Sequence, residues 1–131
     1  MASDLAVVLL AHGARDPGWA LPLYRLQDEM HLLYPAMRTQ IAFLEVQLPN
    51  LPDVLAALAC DGVQAIQVAP IFWSRGAHIE KDLPAIIDSF VGDHPGVCVR
   101  VAPVLSQLAG MTQFIVHAIA SAAMRPPSPS T

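Results

Sequence analysis

Charged residues are scarce in this sequence: Asp, Glu, Lys and Arg make up 14% of its 131 residues, whereas about 25% is typical of globular domains. The seven Lys and Arg residues are scattered and the net charge is −4. They form no basic stripe for a phosphate backbone, so we expect no nucleic acid partner. Hydrophobic residues reach 54%. A surface this poor in charge predicts that part of its apolar area is covered by a second subunit, and we therefore expect a homodimer.

Cysteine is also rare, and long hydrophobic runs are missing. Cys60 and Cys98 lie far apart in the sequence, which argues against a zinc knuckle or a redox dithiol and predicts two reduced, buried thiols. The apolar runs fall far short of the roughly 18 residues that span a bilayer. Asp4 stands where a signal peptide would carry positive charge. The sequence thus predicts a cytoplasmic protein that does not contact a membrane.

Four apolar runs alternate with four helical patterns along the chain. The first run, Leu5 to Ala11, is rich in branched residues and breaks at His12-Gly13, which is typical of a buried parallel strand. Further strands are predicted at 39–45, 64–70 and 97–104, and helices are predicted to begin near Trp19 and after the caps Asn50, Asp82 and Ser106. This alternation predicts an α/β fold, a doubly wound four-stranded parallel sheet in the order 2-1-3-4 with helices on both faces.

Each of the four helices is predicted to bury an apolar stripe. In the first helix the stripe consists of Trp19, Leu23, Leu26, Met30 and Leu33. In the last helix Leu108, Met111, Ile115 and Ile119 are expected to face the sheet. Residues 1–124 then form one domain, and the tail 125–131, which is rich in Pro and Ser, is expected to be disordered.

The strand order brings two histidines to one edge of the sheet. Winding reverses between strands one and three, and sheets of this kind bind ligands at that switch point. His12 leaves strand one, His78 lies in the loop after strand three, and Glu45 ends strand two on the same rim. Two imidazoles and a carboxylate suit either acid–base catalysis or a divalent metal, and the residues alone leave both open. The remaining histidines are predicted to be structural: His31, His94 and His117.

The loop after strand three combines aromatic and cationic side chains. For Phe72 and Trp73, packing over the sheet is favoured over stacking on a ligand. Arg15 and Arg75 lie on one rim, where two guanidinium groups favour an anionic ligand, carboxylates in particular. Simple solvation explains these arginines almost as well.

Three motifs, in this order and spacing, resemble the short-form CbiX-type sirohydrochlorin chelatases. The first is Val8-Leu9-Leu10-Ala11-His12-Gly13-Ala14-Arg15-Asp16-Pro17, the second is Phe43-Leu44-Glu45, and the third runs from Pro70-Ile71-Phe72 through Gly76-Ala77-His78-Ile79 to Asp82-Leu83-Pro84. The resemblance covers almost the whole domain without the tail. It departs from the family pattern at Ala14, where serine is common, and at Trp73, where an aliphatic residue is more usual. The change at Trp73 puts the shape of the macrocycle pocket in doubt.

The resemblance implies insertion of a divalent metal into sirohydrochlorin, a tetrapyrrole bearing eight carboxylates, on the way to cobalamin or a related cofactor. It implies that His12 and His78 bind the metal, that His12 also accepts a proton, and that Glu45 contacts the substrate. The other substrate contacts it implies are Trp73, Ser74, Arg75, Gly76 and Ala77, together with His78. From its guanidinium group, Arg15 is also expected to pair with the substrate's carboxylates. Cobalt is the first choice of metal, with nickel or iron as alternatives, and no organic cofactor is expected. Short forms resemble half of the two-lobed chelatases, so two chains are expected to complete one cleft.

Two other functions compete with this one. A histidine phosphatase also places His-Gly at the end of a first strand, but there an arginine directly precedes the histidine. This chain has Ala11 at that position, so the phosphate clamp is missing. A tetrapyrrole or metal carrier would use the same cleft without chemistry, and the sequence leaves this alternative open. Replacing His12 by alanine distinguishes a carrier from a chelatase, because a carrier keeps macrocycle binding and has no catalysed rate to lose.

Overall fold

A computed structural model describes residues 5–126, except for the side chains of residues 77 and 78. Its strands and helices alternate: β1 Leu5–Ala11, α1 Leu21–Leu33, β2 Arg38–Phe43, α2 Leu51–Cys60, β3 Ala65–Pro70, α3 Ala77–Asp93, β4 Cys98–Val101 and α4 Met111–Met124. Short 3-10 helices, Pro17–Ala20 and Leu105–Gln107, precede α1 and α4. All strands are parallel in the order β2-β1-β3-β4. The predicted fold class and strand order are confirmed.

The larger core lies between the sheet and the helices α2 and α3. Val8 and Leu10 of β1 and Ile66 and Val68 of β3 point to this side, where they meet helix residues such as Leu55. A smaller cluster lies on the opposite face, where α1 covers β1 and β2. The strand β1 pairs along both edges, and both of its faces are buried, one under α2 and α3 and the other under α1. Its end is therefore a rigid support for whatever follows it.

Several local predictions are confirmed by hydrogen bonds or backbone angles. The Asn50 side chain accepts a hydrogen bond from the backbone N–H of Asp53 at 2.9 Å, which caps the start of α2. Gly62 follows the end of that helix with a φ of 88°, a left-handed conformation that glycine adopts without steric cost. No helix in the described part of the chain is both long and apolar enough to cross a membrane.

The start of α3 was predicted wrongly. Gly76, with extended backbone angles, is its N-cap, so the helix begins at Ala77 and Asp82 lies inside it rather than capping it. Pro84 also lies inside this helix instead of in its first turn. The proline misled the prediction because proline is most often found at a helix start. The correction moves His78 from a loop into the first turn of a helix.

Other differences concern the far edge of the sheet and the surface. The strand β4 is shorter than predicted, and Ser106 lies in the 3-10 helix before α4, whose N-cap is Gly110. No residue of α4 is buried within the described structure, so its predicted packing on the sheet is wrong. Of the stripe predicted for α1, only Leu23 is buried. Both cysteines are exposed, not buried. The tail residues 127–131 lie outside the described residues.

Candidate active site at the ends of the first three strands

The loop after β1 is tied to the loop after β2 by backbone hydrogen bonds. The N–H of Leu44 donates to the carbonyl of Ala11, and the N–H of Glu45 donates to the carbonyl of His12, each at 2.9 Å. These bonds continue the parallel ladder beyond the ends of both strands. The backbone of His12 is therefore fixed beside Glu45 in the folded chain.

Gly13 allows this close approach. Its φ is +101°, and a Cβ atom at this position would lie 1.9 Å from the carbonyl oxygen of Glu45. Any other residue would collide with a backbone atom that the hydrogen bonds already hold in place. The turn of the chain after His12 thus depends on a glycine.

Gln47 holds the same loop from the other side. Its side-chain oxygen Oε1 accepts a hydrogen bond from the N–H of Ala14 at 2.8 Å. Its own N–H donates to the carbonyl of Glu45 at 2.8 Å, across Val46 with a φ of 72°. A valine in this region is strained by roughly 1–3 kcal/mol. Such strain persists only where the surrounding structure fixes the backbone, and here the two hydrogen bonds of Gln47 fix it.

The His12 side chain is half-buried against the buried Phe72. The two ring centroids are 4.7 Å apart and the planes are inclined by 39°, within the range of stabilising aromatic contacts. The packing predicted for Phe72 agrees with this burial. By contrast, Trp73 is 53% exposed, so the prediction that it packs over the sheet is wrong and its ring is open to a ligand.

A small cavity of about 50 Å³ joins His12 to two carboxylates. It is lined by His12, Leu44, Glu45, Ile79, Asp82 and Ile86. Glu45 is exposed at its mouth and Asp82 is half-buried on α3. An imidazole and carboxylates that line one cavity can move protons. The structure thus brings the predicted pair His12 and Glu45 together.

The other predicted site residues lie along the loop from β3 to α3 and on the first turn of that helix. Trp73, Ser74, Arg75 and Gly76 are exposed. Arg15 is also exposed, and neither arginine has a hydrogen-bond or ion-pair partner among the described residues. His78 lies one turn before Asp82 on α3. Its side chain and that of Ala77 are outside the described part of the structure, so the predicted pairing of His12 with His78 stays a prediction.

Sequence reasoning missed two residues of this site, Asp82 and Gln47. Asp82 follows His78 by four positions, and residues four apart share one face of a helix. That signal was available once the helix start is placed at Ala77. Gln47 gave no sequence signal, because its hydrogen-bond partner lies 33 residues away in the chain.

Two other histidines have structural contacts. His94 stacks on Phe90 at 4.4 Å between ring centroids, and its Nδ1 lies 3.0 Å from the Phe90 carbonyl oxygen. The Nε2 of His31 lies 3.2 Å from the Thr39 carbonyl oxygen. His117 is exposed on α4. Among the residues with described side chains, no three His, Cys, Asp or Glu are grouped so as to hold a metal ion.

Comparison with known proteins finds a family match over nearly the whole described chain. The model of the CbiX family matches residues 6–122. The sirohydrochlorin cobaltochelatase of Methanosarcina acetivorans is 28% identical over 87 residues, which cover 66% of this chain and 67% of that protein. The sirohydrochlorin cobaltochelatase of Methanococcus maripaludis is 25% identical over 91 residues, which cover 70% of this chain and 63% of that protein. The match therefore spans about two thirds or less of each relative.

Solved structures agree with this relationship. A CbiX protein from Marinobacter aquaeolei has a TM-score of 0.80 and 26% identity, covering 93% of this chain and 99% of that one. The sirohydrochlorin chelatase SirB from Bacillus subtilis subspecies spizizenii, in complex with cobalt, has a TM-score of 0.75 and 20% identity. The aligned part is 89% of this chain and 50% of that one, a likeness that shows the shared fold. With a family model matching almost all of its described residues, the chain belongs to the CbiX family.

Proposed function

We propose that this chain is a sirohydrochlorin metal chelatase that inserts a divalent metal ion, cobalt in the first place, into the macrocycle. The family match and the names of the relatives support this activity. The observation that carries the proposal is the position of His12. Its half-buried ring is held by Phe72 and shares a cavity with Glu45 and Asp82, at the ligand-binding edge of the sheet.

The reaction exchanges one divalent cation for two protons from pyrrole nitrogens. A neutral imidazole can take part twice, because its lone pair first binds the ion and then, after the ion has passed to the ring, accepts a proton. We assign both roles to His12. Glu45 and Asp82 line the same cavity, and we assign to these carboxylates the transfer of protons to solvent.

The metal must be released as readily as it is bound. Imidazole and carboxylate ligands are less soft than thiolates, which hold cobalt, nickel and zinc tightly. The two cysteines lie at the end of α2 and the start of β4, away from the strand ends that carry His12. We propose His78 as the second metal ligand, since it lies one turn before Asp82 on α3.

The macrocycle is expected to lie across the open edge of the sheet. Cavities that enclose ligands usually measure about 300–1,000 Å³, whereas the cavity beside His12 measures about 50 Å³. We propose that the exposed ring of Trp73 lies against the macrocycle and that Arg15 and Arg75 pair with its carboxylates. Ser74 and Gly76 in this loop and Ala77 at the start of α3 complete the proposed contacts. The amino end of α3 adds a partial positive charge that favours the same carboxylates.

A single copy of the chain leaves this edge open, and we propose that a homodimer completes the cleft. The low charge content supports a covered surface. Sedimentation at micromolar concentration tests this directly: a dimer is expected, and a monomer would contradict it.

We also propose a cytoplasmic location and a folded domain of residues 1–124. Proteolysis of the intact chain should then leave a resistant core ending near Met124, and a markedly shorter core would contradict these limits.

The activity is tested with purified protein, sirohydrochlorin and one divalent metal at a time. Absorbance of the macrocycle reports insertion, and the reaction in buffer gives the spontaneous rate. Cobalt is expected to be inserted faster than nickel or iron. If no metal is inserted faster than in buffer, the chelatase proposal fails. Retained macrocycle binding without any catalysed rate would instead support a carrier.

A further inference from the structure

The loop after β2 closes on itself and exposes its tip, residues 46–48. At the base of the loop, the N–H of Phe43 donates to the carbonyl of Pro49 at 2.9 Å. Two apolar side chains of the tip, Val46 and Leu48, are 64% and 75% exposed. Turns mostly use Gly, Pro, Asn, Asp or Ser. Exposed apolar side chains grouped beside a polar site indicate a surface that binds a ligand.

The tip is held in one position by its neighbours. Gln47 joins it to the loop after β1, because its side-chain Oε1 accepts a hydrogen bond from the N–H of Ala14 at 2.8 Å. Val46 has a φ of 72°, a left-handed conformation that is uncommon for a β-branched residue. Strained residues of this kind are concentrated at ligand-binding sites. The strain and the hydrogen bond together favour a binding role for the side chains on either side of Gln47.

An exposed aromatic side chain lies on the other side of His12. Trp73, in the loop after β3, is 53% exposed. Its carbonyl accepts a hydrogen bond from the N–H of Ser106 at 3.1 Å, and the Phe72 carbonyl accepts one from the N–H of Leu105 at 3.0 Å. The 3-10 helix after β4 therefore fixes the backbone of this loop, as hydrogen bonds also fix the tip after β2.

The strand order places His12 between these two apolar groups. The strand β1, which His12 follows, pairs with β2 on one side and with β3 on the other. Neighbouring strands lie about 4.8 Å apart, so the ends of β2 and β3 are separated by about 10 Å. That span is comparable with the width of a tetrapyrrole ring. A flat ring that reaches both loops therefore has its centre above the end of β1.

Charged side chains at the same edge fit this orientation. The carboxylates of sirohydrochlorin are attached around the periphery of its ring, whereas the ring itself is largely apolar. Arg15 and Arg75 are exposed on the loops after β1 and β3. Their guanidinium groups suit carboxylates that project beyond the ring. The edge of the sheet thus offers apolar contacts to the ring and cations to its periphery.

We infer that Val46 and Leu48 contact one edge of the macrocycle while Trp73 contacts the opposite edge, which places the metal-binding centre of the ring over His12. The inference rests on the proposed chelatase function and adds two substrate-contacting residues that lie outside the sequence motifs. A ring held by both loops presents its pyrrole nitrogens to the imidazole. A ring held by one loop alone can shift away from it.

Leu48→Gln tests the contact, with Leu32→Gln as the matched control. Leu32 is 73% exposed and lies in the last turn of α1, which returns the chain to the start of β2 at the opposite edge of the sheet. Binding of sirohydrochlorin without metal is measured by titration of its absorbance. Leu48→Gln is expected to weaken binding about tenfold or more, and Leu32→Gln is expected to leave it unchanged. Equal affinities of the two variants would overturn the inference.

The insertion rate at saturating macrocycle tests the position of the ring. With cobalt, Leu48→Gln is expected to be slower than Leu32→Gln by about tenfold or more, because small displacements of reacting groups lower rates steeply. A lower affinity with an unchanged saturated rate would contradict the placement of the ring centre over His12.

Val46→Gly distinguishes a substrate contact from a role in folding. Glycine adopts a φ of 72° without steric cost, so the stability in urea is expected to be at least that of the unmodified protein. Macrocycle binding is nevertheless expected to weaken about fivefold or more, because the valine side chain is lost. Unchanged binding would remove Val46 from the site.

Sedimentation and the unmodified protein distinguish the remaining explanations. A weaker dimer of Leu48→Gln with full macrocycle affinity would show that the tip contacts a second copy, and would overturn the inference. If the unmodified protein binds the macrocycle without accelerating metal insertion, the chelatase proposal fails, while the affinities of Leu48→Gln and Leu32→Gln still decide whether the tip contacts the ring. Absence of macrocycle binding by the unmodified protein would overturn both.

Discussion

Gly13→Ala is the substitution that most severely tests the geometry around His12. The new Cβ would lie 1.9 Å from the Glu45 carbonyl oxygen, well inside the 3.0 Å that real Cβ contacts respect. The two loops must therefore separate by about 1 Å. That movement strains or breaks the Glu45 to His12 backbone bond and the Gln47 to Ala14 bond.

The magnitude follows from two contributions. A left-handed backbone costs a residue with a Cβ about 1–2 kcal/mol. Two weakened hydrogen bonds cost about 0.5–1.5 kcal/mol each. The expected loss in the free energy of unfolding is thus about 2–5 kcal/mol, a large part of the roughly 5–15 kcal/mol typical of a domain.

Gly62→Ala is the matched control. Gly62 has a similar φ of 88°, but a Cβ there meets nothing within 4 Å, so only the backbone cost of about 1–2 kcal/mol is expected. Urea unfolding of both variants, followed by circular dichroism, measures the difference. The midpoint of Gly13→Ala is expected to lie well below that of Gly62→Ala. Equal midpoints would show that the loops after β1 and β2 are not in close contact, and the reasoning would fail.

Further predictions concern the site and the stability of the fold. Gln47→Met loses the acceptor for the Ala14 N–H and should slow metal insertion. Gln47→Glu keeps an acceptor oxygen and should largely preserve the rate. Equal insertion rates for the two variants would remove Gln47 from the site. Asp82→Asn should slow insertion because Asp82 lines the His12 cavity. The control is Asp88→Asn, which should leave the rate unchanged because Asp88 is exposed on the same helix. Leu55→Ala in the buried core should lower the free energy of unfolding by about 2–5 kcal/mol. Arg38→Ala, which breaks a surface ion pair with Asp61 at 2.9 Å, should lower it by less than about 1 kcal/mol in the same urea assay.

The sheet and half of the site could be predicted from the sequence because their signals are local. The apolar run of β1 and its break at His12-Gly13 determine where that imidazole lies. The order of strands follows from chain connectivity, and it placed Glu45 beside His12 before any contact was known. A short apolar run that is buried on both faces has few positions in a fold other than a central strand of a parallel sheet.

The remainder depends on contacts that the local sequence does not encode. Asp82 was assigned to a helix cap because Pro84 suggested a helix start, although α3 accommodates the proline in its interior. Gln47 reaches a backbone N–H in another loop, which no periodicity reveals. The apolar residues of α4 were predicted to face the sheet, but in this structure none of them is buried.

The rate of cobalt insertion by the intact protein and by His12→Ala tests the central claim most directly. Both are mixed with sirohydrochlorin and cobalt under single-turnover conditions, and macrocycle binding is measured separately. The intact protein is expected to exceed the spontaneous rate by about 100-fold or more, as positioned acid–base groups commonly contribute. His12→Ala is expected to bind the macrocycle and to fall to the spontaneous rate. Insertion by His12→Ala at the rate of the intact protein would contradict the role assigned to His12.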